Sequence, residues 1–457
     1  MSEVKTPIVT VKSLRLWYYT RRGVYKALNG VDLEVYRGEV LGIAGESGCG
    51  KSTLGLTIMG LLPRNAAIVD GQVLIDGFDV VAPLREYYKR SKGRFKPGKN
   101  EDVLKRLHKA MRRIRGTKVT MVFQEPMTTL NPVLPVGYQI AEVVLQHRPA
   151  LLASRRLARA KARRDDVKAA LNLLKANDYE GLTSFLKSKG LEGLEDQMLG
   201  IWRRRDLHDL VKELRIMSLC CDPVNPLIKP ALEEVAKRNR LPEDPIVRQI
   251  VRRELIKEGY RKAAEFLGLL GMPEPEKVVK MYPHELSGGM RQRVVIATAM
   301  INNPDLVILD EPTSALDVTI QAQILELLRE LKEQSRAAFI FISHDLSVLY
   351  QVSDRVAIMY AGKVVEVGPR EAVFKDPKHP YTQMLLEAVP TLEPHELKGI
   401  KGEVPDLRNP PSGCMFHPRC PYAMPICREK EPPAVDVGGG HRVACWLYVC
   451  RPRGERK

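Results

Sequence analysis

Between an apolar run, Val40-Leu41-Gly42-Ile43-Ala44, and a helical stretch that starts near Ser52 stands the octet Gly45-Glu46-Ser47-Gly48-Cys49-Gly50-Lys51-Ser52. This G-x-x-x-x-G-K-[ST] loop constrains the fold more than any other segment, because it works only where a buried strand feeds a helix N-terminus. Its glycines let successive backbone N–H groups converge on phosphate, and the helix dipole adds to the attraction. Lys51 offers a point charge to the β- and γ-phosphates, and Ser52 a hydroxyl to Mg²⁺. Gly45, Ser47, Gly48, Cys49, Gly50 and Thr53 complete the expected contact set. Far downstream, Leu306-Val307-Ile308-Leu309-Asp310-Glu311 is apolar without alternation, as a buried parallel strand requires, and ends in two carboxylates. Ligands sit at such strand ends in open α/β sheets. Asp310 is therefore the candidate for holding Mg²⁺ through water, and Glu311 for polarising an attacking water.

Taken in order, these segments and several others resemble the nucleotide-binding subunit of an ATP-binding cassette (ABC) transporter. The resemblance implies an α/β P-loop ATPase with a RecA-like core, an antiparallel β subdomain and an α-helical subdomain. Gln124, in Val122-Phe123-Gln124-Glu125-Pro126, matches the glutamine that senses the γ-phosphate and faces the membrane partner, with Mg²⁺ in reach. Leu286-Ser287-Gly288-Gly289-Met290 matches the signature segment, whose Ser287, Gly288 and Gly289 would contact ATP held by the opposite subunit. Met290 stands where many members have glutamine, a departure common among importers of the peptide class. Ser314-Ala315-Leu316-Asp317 matches the D-loop, which makes Asp317 a nucleotide-site residue, and His344 in Ser343-His344-Asp345 matches the switch histidine. Tyr18 lies where the family places its adenine-stacking aromatic, with Trp17 and Tyr19 as competing choices.

The cassette is expected over residues 1–370, and the chain's 457 residues leave room for more. Strands should fill residues 8–45, with turn signals at Arg22-Gly23 and Asn29-Gly30, and Gly71–Gly77 should add another. A basic stretch from Pro83 to Arg115 reads as a helix broken by a loop. From about 149 to 258 amphipathic spacing (Val167, Leu171, Leu174, then Leu182, Phe185, Leu186) predicts an inserted helical elaboration, with Pro223, Pro226 and Pro230 as breaks. It is either a stabilising addition or a partner-binding module. Val356–Val365 reads as a hairpin, His379-Pro380-Tyr381-Thr382 as a helix start, and 371–411 as short helix and linker.

No apolar run approaches bilayer-spanning length, and Met1-Ser2-Glu3-Val4-Lys5 lacks a signal-peptide apolar region, so a chain peripheral to the cytoplasmic membrane face is expected. Lys and Arg outnumber Asp and Glu by 72 to 55, giving a net charge of +17. The basic runs at Lys89–Lys99, Arg112–Lys118, Arg155–Arg164 and Arg203–Arg205 mostly lack interleaved aromatics, which favours solvated helix faces near a membrane over nucleic-acid sites.

Residues 412–457 form a Cys-rich tail with Cys414, Cys420, Cys427 and Cys445, with five, six and seventeen residues between successive members. Four thiols suffice for an iron–sulfur cluster or a tetrahedral zinc, though the spacing is not the C-x-x-C of ordinary zinc sites. A reducing compartment disfavours disulfides. Gly413–Tyr422 resembles the C-terminal extension of oligopeptide/dipeptide importer ATPases, some of which hold a [4Fe-4S] cluster on such cysteines. Cluster, zinc and unligated thiols remain open; Cys450 is a spare, and His417 or His441 could substitute. Cys220 and Cys221 fit no pattern.

The resemblance thus implies an ATP- and Mg²⁺-dependent subunit powering peptide import. Its expected partners are transmembrane permease subunits, a second ABC ATPase in a homo- or heterodimer and, indirectly, an external solute-binding protein; nucleic acid is not among them. Oligosaccharides or nickel chelates are alternative cargoes. A soluble ABC ATPase acting on nucleic acid or ribosomes is the rival of another class, but it should carry two cassettes or a long coiled coil. Redox sensing by the tail is a third idea.

Overall fold

The computed structural model describes residues 6–90, 101–124, 126–203, 209–217, 224, 226–314, 316–388, 400 and 402–449. Most of the basic run at 89–99, Glu125, Arg204, Arg205, Cys220, Cys221, Pro223, Ala315, the linker over 389–399 and Cys450 lie outside them. The chain divides into two compact units. The first comprises residues 1–124, 304–314 and 328–457, and the second residues 125–303 and 315–327.

The first unit holds two sheets. A four-stranded antiparallel sheet is built from β1 (Pro7–Thr20), β2 (Gly23–Tyr36), β4 (Ala66–Ile75) and β5 (Phe78–Asp79), in the order β2-β1-β4-β5. The turn at Arg22-Gly23 forms as the sequence predicts, but Asn29-Gly30 does not turn. Leu14 pairs with Val31 and Arg15 with Asn29, so Gly30 is an extra residue, a bulge that its φ of 89° permits. Two fourteen-residue strands result instead of several short ones.

Eight strands make the second sheet: β3 (Val40–Ala44), β6 (Val119–Val122), β7 (Leu306–Asp310), β8 (Ala338–Ile342), β9 (Arg355–Tyr360), β10 (Lys363–Pro369), β11 (Ala434–Gly438) and β12 (His441–Ala444). Their order is β11-β12-β10-β9-β3-β8-β7-β6. The five strands from β9 to β6 run parallel, and every residue of β3, β6, β7 and β8 is buried, as expected of strands covered on both faces. The β9–β10 hairpin closes on Ala361 and Gly362, at φ 48° and 78°. The Cys-rich tail does not hang free of the cassette. Its own hairpin, β11–β12, continues the central sheet through the pairs Glu366–Val443 and Val367–Arg442.

The second unit is helical. Helices Arg164–Lys175 and Tyr179–Ser188 bury Val167, Leu171, Leu174, Leu182 and Leu186 in one apolar cluster, with Phe185 against it, as the spacing predicts. A turn at 226–228 breaks the segment, and Pro230 then occupies the first turn of helix Lys229–Arg238, where its missing N–H costs nothing. Helix Pro245–Leu269 runs unbroken for 25 residues, capped by Asp244, whose Oδ1 accepts N–H bonds from Ile246 (3.0 Å) and Val247 (2.9 Å). Among the described residues no helix is both long and apolar enough to cross a membrane.

Candidate functional site

Four neighbouring parallel strands, β3, β8, β7 and β6, deliver their C-terminal ends to one edge of the sheet, and each carries a candidate side chain there. After β3 the loop turns at Gly45, whose φ is 147°. A Cβ at this position would lie 2.1 Å from the Met359 carbonyl oxygen, so only glycine fits. Helix Lys51–Ile58 follows at once, seated in the core by Leu54 and Ile58. The Lys51 ammonium is buried and folds back onto the loop, donating to the carbonyls of Gly45 (2.7 Å) and Glu46 (3.2 Å). Those carbonyls hold the charge where a phosphate could take it over.

Ser52 Oγ donates to Asp310 Oδ1 at 3.0 Å, joining the helix start to the end of β7. Asp310 is 6% exposed; burial pushes its carboxyl above the ordinary range, against the pull of Ser52. A hydroxyl and a buried carboxylate meeting here form an all-oxygen donor set, the kind a hard cation such as Mg²⁺ requires. The next residue, Glu311, has φ 49°, a left-handed conformation that costs a non-glycine residue about 1–3 kcal/mol. Its N–H donates to Ile342 O on β8 at 2.9 Å, which pins the turn. Gln124 Nε2, just past β6, donates to Glu311 Oε2 at 2.7 Å, and His344 Nδ1, past β8, lies 3.0 Å from Glu311 Oε1. Both carboxylate oxygens are thus held from neighbouring strands.

Among the three aromatics, Tyr18 approaches the loop helix: its hydroxyl donates to Thr53 Oγ1 at 3.4 Å. Trp17 lies under the Lys26 ammonium, and the Tyr19 hydroxyl pairs with that of Tyr88 at 3.2 Å. In the second unit, Ser287 caps helix Gly288–Met300 by accepting from Met290 N at 3.3 Å. Gly289 is packed so closely that a Cβ would stand 2.7 Å from Ile320 Cγ2. Asp317 Oδ1 accepts from Ile320 N at 3.0 Å, opening helix Val318–Gln334.

The four described tail cysteines are free thiols, Cys427 and Cys445 buried and Cys414 and Cys420 half-buried. Burial pushes the Cys445 thiol up to about 12, with the other three adding to the effect. Burial also raises the Cys414 and Cys420 thiols, while nearby backbone N–H groups, those of Phe416 and His417 for Cys414 and of Tyr422 for Cys420, pull them down. Nevertheless, no three His, Cys, Asp or Glu side chains among the described residues are gathered as a metal site. The expected ligand set is therefore present in kind but not assembled. His417 Nδ1 lies 2.9 Å from its own turn's Cys414 carbonyl, and His441 Nε2 lies 2.7 Å from Glu366.

A further group escaped the sequence reading. Tyr381 is fully buried against Tyr360 and Phe416, and its hydroxyl accepts from Glu46 N at 2.9 Å, while Arg419 grips the Glu46 carboxylate. The only sequence signal was the cluster of aromatics around Pro380 and Pro418.

A loop, two carboxylates and their holders at the ends of adjacent parallel strands define an ATP-hydrolysing cassette. Residues 28–203 and 224–314 match the ABC transporter family, and residues 365–427 match the oligopeptide/dipeptide transporter C-terminal region. The chain is 34% identical over 443 residues to the dipeptide transport ATP-binding protein DppD of Bacillus subtilis (strain 168), covering 96% of this chain and 94% of that one. It is 36% identical over 446 residues to the oligopeptide transport ATP-binding protein OppD of the same organism, covering 97% and 89%. A dimeric ATP-binding cassette solved in a post-hydrolysis state with ADP and Pi is 20% identical, with a TM-score of 0.43 over 79% of this chain and 98% of that one. The chain belongs to the ABC transporter family of ATP-binding subunits.

Proposed function

We propose that the chain hydrolyses ATP to power peptide import through separate membrane subunits. The observation that supports this most is the convergence of Lys51, Ser52, Asp310, Glu311, His344 and Gln124 at four adjacent strand ends. Lys51 would exchange its loop carbonyls for the phosphates, while the loop N–H groups hold them from the other side. Ser52 and Asp310, with Gln124, would hold Mg²⁺, which when bound neutralises charge on the β- and γ-phosphates. Glu311, steadied by Gln124 and His344, accepts the proton of the water that attacks the γ-phosphorus as the bond to the β-phosphate oxygen breaks. Tyr18 is the side chain assigned to the adenine. Ser287, Gly288, Gly289 and Asp317 are assigned to the nucleotide of a second ATPase subunit, so that two ATP molecules are shared by a pair. The peptide cargo is supported by the names of the DppD and OppD relatives and by the match of the tail. The division into cassette (1–370), linker (371–411) and tail (412–457), with a helical elaboration at 149–258, belongs to this reading, as does a place on the cytoplasmic membrane face beside permease subunits.

Replacing Glu311 by Gln tests the mechanism: ATP binding should persist while steady-state turnover falls by roughly two orders of magnitude or more and a closed dimer accumulates. Ordinary turnover by that variant refutes the role given to Glu311. As a finer reading, Cys414, Cys420, Cys427 and Cys445 would draw together to hold an iron–sulfur cluster, supported by four free thiols in the tail. Anaerobic purification should give a broad band near roughly 400 nm with matching iron and sulfide. A colourless, iron-free protein overturns it.

A further inference from the structure

The second residue of the phosphate loop carries a carboxylate, which is a liability beside a triphosphate. Like charges at such range oppose binding unless one is neutralised. Here the neutralising group comes from the far end of the chain. Arg419 Nη1 lies 2.7 Å from Glu46 Oε2, and Nη2 lies 3.1 Å from Oε1, a two-pronged pair. The arginine side chain is only 4% exposed and that of Glu46 is 23% exposed, so water screens the contact weakly. Arg419 Nη1 also reaches the Tyr360 hydroxyl at 3.3 Å and Nη2 the Ile400 carbonyl at 3.3 Å, while the guanidinium lies over the Tyr360 ring, 5.8 Å from its centroid.

The backbone of the same loop residue is held as well. Glu46 N–H donates to the Tyr381 hydroxyl, and the Glu46 carbonyl accepts from Lys51. The arginine is in turn placed by the tail's thiol-bearing turn. Its N–H bonds Phe416 O at 3.0 Å, and the buried Phe416 ring meets Tyr360 and Tyr381 with centroids 5.1 and 5.4 Å away. Cys414 N–H donates to Cys427 O at 2.8 Å, tying this turn to the next cysteine.

We propose that Arg419 is a positioning residue for nucleotide binding: by neutralising and orienting Glu46 it holds the phosphate loop ready for ATP. The proposal rests on the reading of Gly45–Ser52 as the ATP site. It makes the tail a working part of that site, with the residue next to Cys420 reaching the loop directly.

The test is a double-mutant cycle on the full chain, read as the dissociation constant for Mg·ATP by calorimetry and as KM and kcat for hydrolysis. Arg419→Ala should weaken ATP binding and raise KM on the order of tenfold, with kcat changed by no more than about threefold. Arg419→Lys, which keeps the charge but not the fork, should recover part of the loss. In a Glu46→Gln background, where no charge needs neutralising, Arg419→Ala should cost less than about threefold. A tail that merely supports the fold predicts equal losses in both backgrounds and no gain from lysine; either result overturns the proposal. If Arg419→Ala fails to fold, Arg419→Lys measured in both backgrounds decides it by the same comparison. Failure of the underlying reading is distinct: Lys51→Ala would then bind Mg·ATP as well as the unaltered chain.

Discussion

His379 offers a quantitative test of how the tail is locked to the cassette. It is 1% exposed and precedes helix Pro380–Glu387, where its Nδ1 accepts the N–H of Tyr381 at 3.0 Å. An imidazole accepting at Nδ1 must be neutral and carry its one proton on Nε2, and adding the second proton would set two hydrogens face to face. Burial lowers its pKa from 6.5 to about 4, against the opposing attraction of Glu366, which accepts the His379 N–H at 2.9 Å. The other ionisable residues around it are Lys378, whose backbone N–H also binds Glu366 (2.7 Å), and His441, whose Nε2 lies 2.7 Å from the same carboxylate. The sign follows from linkage. Above pH 6.5 the ring is neutral folded or unfolded, and stability is complete; below it the unfolded chain takes up a proton that the folded chain refuses. Stability is therefore lost as pH falls from about 6.5 to about 4. At about 1.4 kcal/mol per pH unit the loss attributable to this ring reaches about 3 kcal/mol. His379→Asn keeps a side-chain acceptor at the helix start but removes the titration. Urea unfolding of both chains between pH 7.5 and 4 should show a constant offset above pH 6.5. Below it the curves should converge, because only the histidine chain loses this increment. Parallel curves through that window refute a buried neutral histidine.

Two further predictions concern the other ends of the fold. Gly45→Ala places a Cβ against the Met359 carbonyl and Cys49 Sγ, 2.1 and 2.8 Å away, so unfolding should come about 3 kcal/mol or more earlier and ATP binding should be lost; an alanine chain binding Mg·ATP normally contradicts the loop geometry. Arg155, Arg156 and Arg159, from a run that the sequence predicts to be a solvated face, are buried instead, and Arg155 bridges Glu258 (3.3 Å) and Glu265 (2.7 Å) in the helical unit. Arg155→Ala strands the buried Glu265 and should cost about 3 kcal/mol by denaturant unfolding, whereas a cost below about 1 kcal/mol would mean that the network is water-filled in solution.

The nucleotide edge was legible because each of its residues sits in a local pattern with its own physical signature. An unbroken apolar run announces a covered parallel strand, and the residues just past such a run must lie at its C-terminal end. Lys51, Ser52, Asp310 and Glu311 could therefore be placed from the sequence. Gln124 and His344 were placed by resemblance. The Asn29-Gly30 bulge was misread as a turn because a local dipeptide carries the same left-handed preference in both settings; only the partner strand decides between them. The tail contacts were illegible for a different reason. Nothing in Arg419, Tyr381 or Glu46 alone specifies a partner up to 373 residues away. Pairings between distant side chains depend on one sheet carrying β9, the loop after β3 and, beyond β10, the tail hairpin. The same dependence explains why a tail that reads as an appendage is joined to the core by sheet pairing and by a charge pair. Extending the central sheet by β12 sets the tail hairpin against β10; Phe416 of the thiol-bearing turn meets Tyr360 at the end of β9, and the strand on the far side of β9 is the one that ends in the phosphate loop.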